Sequence, residues 1–171
     1  MAEYLVSPHA TTAPFEPTVV ALVANTTKTV LQVATPATTD IRIIGWSVSF
    51  DGASGTAIPV ICHLLATDVG ASGLTAQTPE TWGNDLQPAS LCVGGAAATG
   101  HGGGVTPTEG VITVVRYFDS QHVHPQAGYG ILWPEGPFQP KVPVSRFLRI
   151  RCRAQAAVNV IPQIFWAEPS V

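Results

Sequence analysis

Apolar and polar positions alternate with a period of two through most of this chain, a pattern that predicts strands rather than helices. The clearest case lies near the C-terminus. Residues 146–153 place Leu148, Ile150 and Cys152 on one face and Arg149, Arg151 and Arg153 on the other. A short Ala-rich connection leads to a second strand, 158–166. Residues 18–24 and 29–34 read as the first strands, divided by the turn-rich Asn-Thr-Thr-Lys. Residues 40–50 form the longest candidate. Their apolar phase is odd at Ile41 and Ile43 and even at Ile44, Trp46, Val48 and Phe50, a one-residue shift that predicts a bulge or bend near Gly45. Residues 57–66 are apolar on both faces, as in a central strand covered on both sides. Residues 89–93, 110–118 and 128–133 are further strands, with a kinked continuation at 121–124.

Sixteen Gly and fifteen Pro punctuate these segments. Eight or nine strands, no helix and several long connections predict an all-β chain: a two-sheet antiparallel β-sandwich, jelly-roll-like, over residues 18–171 as a single domain. Residues 1–17 carry Pro8, Pro14 and Pro17 with little periodicity and read as an extended N-terminal arm or a frayed tail. An arm lying on a neighbouring subunit would use Tyr4, Leu5 and Phe15. The connection 67–88 is long, with Trp82 as its pin. Residues 94–104 are a Gly-rich, flexible loop, and residues 134–143 are a proline-rich surface loop with Phe138 as a contact residue.

Charged residues make up 11% of the chain, against about 25% in an ordinary soluble domain, while hydrophobic residues reach 46%. That balance points to surface buried in a homo-oligomer. The formal net charge of −3 gives no global attraction to nucleic acid. Arg146, Arg149, Arg151 and Arg153 are nevertheless half of the eight Lys and Arg, within eight residues. The row 149–151–153 is expected to pair with acidic groups on an adjacent subunit or another surface, because the guanidinium fork matches a carboxylate. A solvated outer face and a phosphate-binding face are the alternatives. No run of 18 apolar residues predicts a membrane-spanning helix, and the N-terminus lacks the pattern of a secretory signal. Cys62, Cys92 and Cys152 read as buried thiols made in a reducing cytoplasm, with one disulfide plus one free thiol as the alternative.

No catalytic constellation emerges, so no enzyme and no cofactor are expected. His122 and His124 have the i, i+2 spacing that metal sites use on strands. In cupins such a pair is followed by a Glu ligand and a later His. Here Pro-Gln-Ala-Gly-Tyr-Gly follows and no later His exists, which leaves a divergent cupin-like metalloprotein as the remote reading. The Gly-rich stretch lacks the Lys and Ser/Thr of a phosphate-binding loop. Trp46 and Trp166 are in phase with aliphatic neighbours and belong to the core. Trp82, Trp133 and Phe138 are left as candidates for a sugar- or receptor-binding platform in a tail or fibre.

Several phrases together carry a resemblance. They are Thr-Lys-Thr-Val-Leu-Gln-Val-Ala-Thr-Pro (27–36), Ile-Gly-Trp-Ser-Val-Ser-Phe-Asp-Gly (44–52), Arg-Tyr-Phe-Asp-Ser-Gln (116–121), Pro-Val-Ser-Arg-Phe-Leu-Arg-Ile-Arg (143–151) and Ala-Ala-Val-Asn (156–159). They resemble small all-β virion proteins of tailed bacteriophages, among them capsid decoration (cement) and minor head proteins. The resemblance implies a homo-oligomer, commonly a trimer, that is made in the host cytoplasm. It would bind the major capsid protein of an assembled head and stabilise the capsid without contacting nucleic acid or membrane. The contact residues expected on this reading are Tyr4, Leu5, Phe15, Arg149, Arg151 and Arg153.

Overall fold

A computed structural model of the chain describes residues 1–10, 16–52, 58–82, 88–103 and 106–169. Thirteen strands form among them: β1 (Ala2–Val6), β2 (Val20–Leu22), β3 (Thr27–Ala34), β4 (Ile41–Phe50), β5 (Val60–Thr67), β6 (Thr75–Ala76), β7 (Glu80–Thr81), β8 (Gly100–His101), β9 (Val115–Val123), β10 (Gly128–Leu132), β11 (Lys141–Val142), β12 (Phe147–Arg153) and β13 (Val158–Glu168). They build the expected β-sandwich. A seven-stranded sheet runs β10-β4-β13-β1-β7, with β11 beside β4 and β2 beside β13. A six-stranded sheet runs β6-β8-β3-β12-β5-β9.

The longer strands pair as the two arms of one long hairpin folded over. β1 pairs with β13, β3 with β12, β4 with β10 and β5 with β9, all antiparallel. Apart from β5 and β9, which are neighbours in one sheet, successive long strands exchange sheets, and the contacts β4–β13 and β12–β5 then close each sheet. The 47-residue connection between β5 and β9 contains β6, β7 and β8, which extend both sheets on the side of β1 and β3. Trp82 pins this connection as expected: its ring lies 4.7 Å from that of Phe165, and its amide donates to the Glu3 carbonyl at 2.9 Å.

Alternation along the strands fills the space between the sheets. Tyr4, Ile41, Ile43, Trp46, Val48, Ile164 and Trp166 come from one sheet, and Val33, Cys62, Leu64, Leu148, Ile150 and Cys152 from the other. The phase shift read in residues 40–50 is a β-bulge. Gly45 lies opposite Phe165 and Ile43 opposite Trp166, so Ile44 is the extra residue. Gly45 is required there, since a Cβ would stand 2.4 Å from the Ile131 carbonyl oxygen. Two carboxylates fasten the sandwich, one between its layers and one to a loop. Asp119 on β9 accepts hydrogen bonds from the Trp46 indole at 3.1 Å and the Tyr129 hydroxyl at 2.7 Å, across to the other sheet. Burial, together with Asp119, raises the Tyr129 phenol to about 12. Glu168 accepts from Trp166 Nε1 at 2.9 Å, Ser90 Oγ at 2.5 Å and the Leu91 amide at 2.9 Å, which fixes segment 88–92 against the core.

The structure corrects three expectations. The first part of the presumed arm is strand β1, and Tyr4 is 1% exposed with its hydroxyl donating to the Pro88 carbonyl at 2.8 Å. The prolines of residues 1–17 all follow that strand, so they do not interrupt it. Residues 89–93 are not a strand, because Glu168 and Ser90 occupy their polar groups instead of a ladder. The strand expected at 110–118 is shifted to Val115–Val123, while Asp68 holds the preceding backbone through the Thr113 and Val114 amides.

If β1 is part of the sandwich, Tyr4→Ala should cost about 3–5 kcal/mol in chemical denaturation, the usual cost of emptying a large aromatic site. An independent arm would leave the midpoint unchanged.

Candidate functional site

The arginine row identified in the sequence lies on the outer face of the six-stranded sheet, and the chain covers half of it. On β12, Arg149 sits opposite Gln32 of β3 and Leu65 of β5. Its side chain is 0% exposed. The Arg149 guanidinium donates to Thr29 Oγ1 from Nε at 3.1 Å and from Nη2 at 2.5 Å, and to the Val69 carbonyl at 3.2 Å. Its ion-pair partner is Glu109, which lies on an extended segment crossing over the sheet. Glu109 also accepts from the Thr29 amide at 2.6 Å and from the Thr29 hydroxyl at 2.7 Å, and it stands 3.2 Å from Arg151 Nε. One carboxylate thus serves two guanidiniums and a threonine. Burial pulls the Arg149 guanidinium down to about 10, against the opposing pull of Glu109 and with a small push from Arg151. It remains a cation at neutral pH.

Beside this pair, Gln32 anchors two more loop segments. Its amide nitrogen donates to the carbonyls of Ala71 at 3.3 Å and Ala98 at 2.6 Å, and its oxygen accepts from the Ala71 amide at 2.7 Å. Arg149 is therefore not available to another subunit. Alternation correctly placed it on the face away from Leu148 and Ile150, but segments 69–71 and 106–110 make that face interior at this point. Arg151 is half-buried and Arg153 is exposed. Of the expected contact residues, Tyr4 is enclosed, Leu5 is partly buried on the outer side of β1, and Phe15 lies outside the described residues.

The remaining candidates are scattered. His122, next to the last residue of β9, lies on the exposed outer face opposite Ile61, and His124 lies in the following turn, accepting from the Gln126 amide at 3.2 Å. Among the described residues no group of three or more His, Cys, Asp or Glu is placed to hold a metal ion, and no helix is long and apolar enough to cross a membrane. The three cysteines are free and buried. Cys62 and Cys152 face each other across β5 and β12 with sulfurs 3.6 Å apart. Part of the Gly-rich stretch is ordered by pairing. Gly100 and His101 form β8 against β3, and His101 is buried, accepting from the Gly103 amide at 3.0 Å. Burial, reinforced by His9 and Lys28, lowers this imidazole to about 4.

What alternation did not show is the exposed apolar margin. β9 and β10 are the free edges of their sheets on the same side of the sandwich. Val111 is 82% exposed, and Val114, Val115 and Tyr117 follow it along the approach to β9 and into the strand. Leu132 ends β10, and Phe138, at the tip of the next loop, is 94% exposed. The apolar run 110–118 carries this signal, but a strand pattern alone does not say which of its faces is open.

Two measurements check this description. Glu109→Ala leaves Arg149 as a buried charge without its carboxylate, so it should cost about 3–5 kcal/mol in urea unfolding. His101 remains neutral in the fold below the pH at which the unfolded chain protonates it. Stability should therefore fall as pH drops from about 6.5 toward 4, by roughly 1.4 kcal/mol per pH unit at most. His101→Gln should flatten that slope; an unchanged slope contradicts the assignment. No family model, no curated protein and no solved structure matches this chain.

Proposed function

We propose that this chain is a structural virion protein of a tailed bacteriophage, a capsid decoration protein that oligomerises and binds the assembled head. The observation that carries the reading is the apolar margin of Val111, Val114, Val115 and Tyr117 leading into the β9 edge, which has no outer partner strand among the described residues. Proteins that stay monomeric usually guard such edges with charge, proline or a cover. The margin offers both strand-edge hydrogen bonds and apolar area, as an interface needs. The phrases at 27–36, 44–52, 116–121, 143–151 and 156–159 supply the virion assignment by resemblance. The jelly-roll reading is supported by the folded-hairpin pairing of the eight long strands.

On this reading the protein acts without covalent chemistry. A copy that binds the mature shell and not its dissociated subunits stabilises the shell by mass action. The competing sugar-platform reading has less support. Trp46 and Trp166 are enclosed, Trp82 packs against Phe165, and Trp133 packs on the core, which leaves Phe138 and Tyr117 as the exposed aromatics among the described residues.

The test is solution mass combined with co-sedimentation on expanded heads. A trimer that sediments with heads is expected. Val111→Asp with Val114→Asp should abolish assembly, while each exposed site shifts stability by no more than about 0.5 kcal/mol. A monomeric wild-type chain that leaves heads unbound contradicts the proposal.

A further inference from the structure

The outer face of the six-stranded sheet is divided into a covered half and an open half. In the covered half, segment 106–110 lies across β12 and brings the Glu109 carboxylate to Arg149, Arg151 and Thr29. From the boundary outward, the register sets out two rows, the first starting at the buried Thr29. Thr29, Arg151, His63 and Ser120 lie side by side across β3, β12, β5 and β9, and Thr27, Arg153, Ile61 and His122 form the next row. Adjacent strands are about 4.8 Å apart and same-face neighbours about 6.8 Å, so Arg151, Arg153, His63 and His122 fall within roughly 10 by 7 Å.

The groups facing this patch are Arg151 and Arg153 from β12, His63 from β5 and His122 from β9. The nearest carboxylate in contact with them is Glu109, already shared by two guanidiniums. The local field is accordingly cationic. The His63 imidazole lies below its ordinary value, first through burial and then through Arg151 and His122. Its Nδ1 stands 2.9 Å from Ser120 Oγ, and Tyr117 packs edge-on against its ring at 5.4 Å, so the patch is held in place before any ligand arrives. Arg153 and His122 are exposed.

We propose that this open half is a docking site for an extended, carboxylate-bearing segment of another protein. An Asp or Glu of that segment would sit against Arg151, Arg153 and His122, as Glu109 sits against Arg149 and Arg151. The covered half is the internal precedent: on this same sheet face, an extended segment with one acidic residue is what the fold itself uses as the counter-charge of a pair of arginines. Charge complementarity selects an acidic occupant, and the flat sheet surface suits an extended chain. Nucleic acid fits less well, because single-strand platforms stack successive bases on aromatic rings and, among the described residues, the ring contact to this patch is that of Tyr117, in a chain of net charge −3. The site does not depend on which assembly the chain joins.

The experiment is a two-dimensional NMR titration of the full isotope-labelled chain with an octaglutamate peptide. Shifts should concentrate at His63, Arg151, Arg153 and His122 and diminish with added salt. Arg153→Glu should weaken binding about tenfold or more, from the loss of a charge-assisted hydrogen bond. Lys141→Ala, on the opposite sheet, should leave it unchanged. Absence of shifts, shifts spread over the surface, or equal losses in the two variants would overturn the proposal. So would tighter binding of an octathymidine oligonucleotide at the same patch, which would make it a nucleic-acid surface.

Discussion

The contact between Arg149 and Glu109 organises the outer face of the six-stranded sheet. A guanidinium removed from water is costly, and the cost is offset only if its donors are met and a counter-charge is close. Thr29, the Val69 carbonyl and Glu109 meet those conditions. In doing so they draw segments 69–71 and 106–110 down onto a face that would otherwise be wet. The same contact sets the boundary between the covered and open halves of the arginine row. Arg149 becomes part of the interior, Arg151 stands at the boundary, and Arg153 remains on the surface.

Other carboxylates do similar work. Asp119 joins β9 to Trp46 and Tyr129 of the opposite sheet, Glu168 fixes segment 88–92, and Asp51 accepts from both the backbone amide and the side chain of Asn159. Asp68 holds Thr113 and Val114, and those hydrogen bonds depress its carboxyl to about 2. In a chain with only eleven Asp and Glu, a large share of the acidic groups thus fastens loops to a sandwich whose strands pair almost entirely at long range. The folded-hairpin order gives these loops no helix to pack on, so polar anchors locate them. Six exposed apolar side chains, Val111, Val114, Val115, Tyr117, Leu132 and Phe138, then lie along the β9 and β10 margin.

Much of the sheet pattern was legible because alternation is a local property. The phase change at Ile44 and Gly45 could be read from side-chain order alone, and the structure places the bulge there. The pattern at Leu148, Ile150 and Cys152 likewise identified the inward face of β12. Alternation says which side of a strand a residue occupies, but not what lies above it. Alternation therefore puts Arg149 on the outer face, although a segment forty residues earlier in the chain covers it. The same limit explains β8 and β11. Each is two residues long, too short to carry a period of its own, and forms because a longer strand offers it an edge. The exposure of Val111 and Val114 was hidden for the converse reason: an apolar run looks like core until the partner sheet is seen not to reach it.

A double-mutant cycle tests the central contact most directly. Arg149→Met and Glu109→Leu would each be measured by urea unfolding, alone and together. The account predicts that each single variant is strongly destabilised and that the double variant recovers much of the loss, with a coupling of about 2–3 kcal/mol, because an apolar pair can replace a buried ion pair. Additive losses, with no coupling between the two positions, would contradict it.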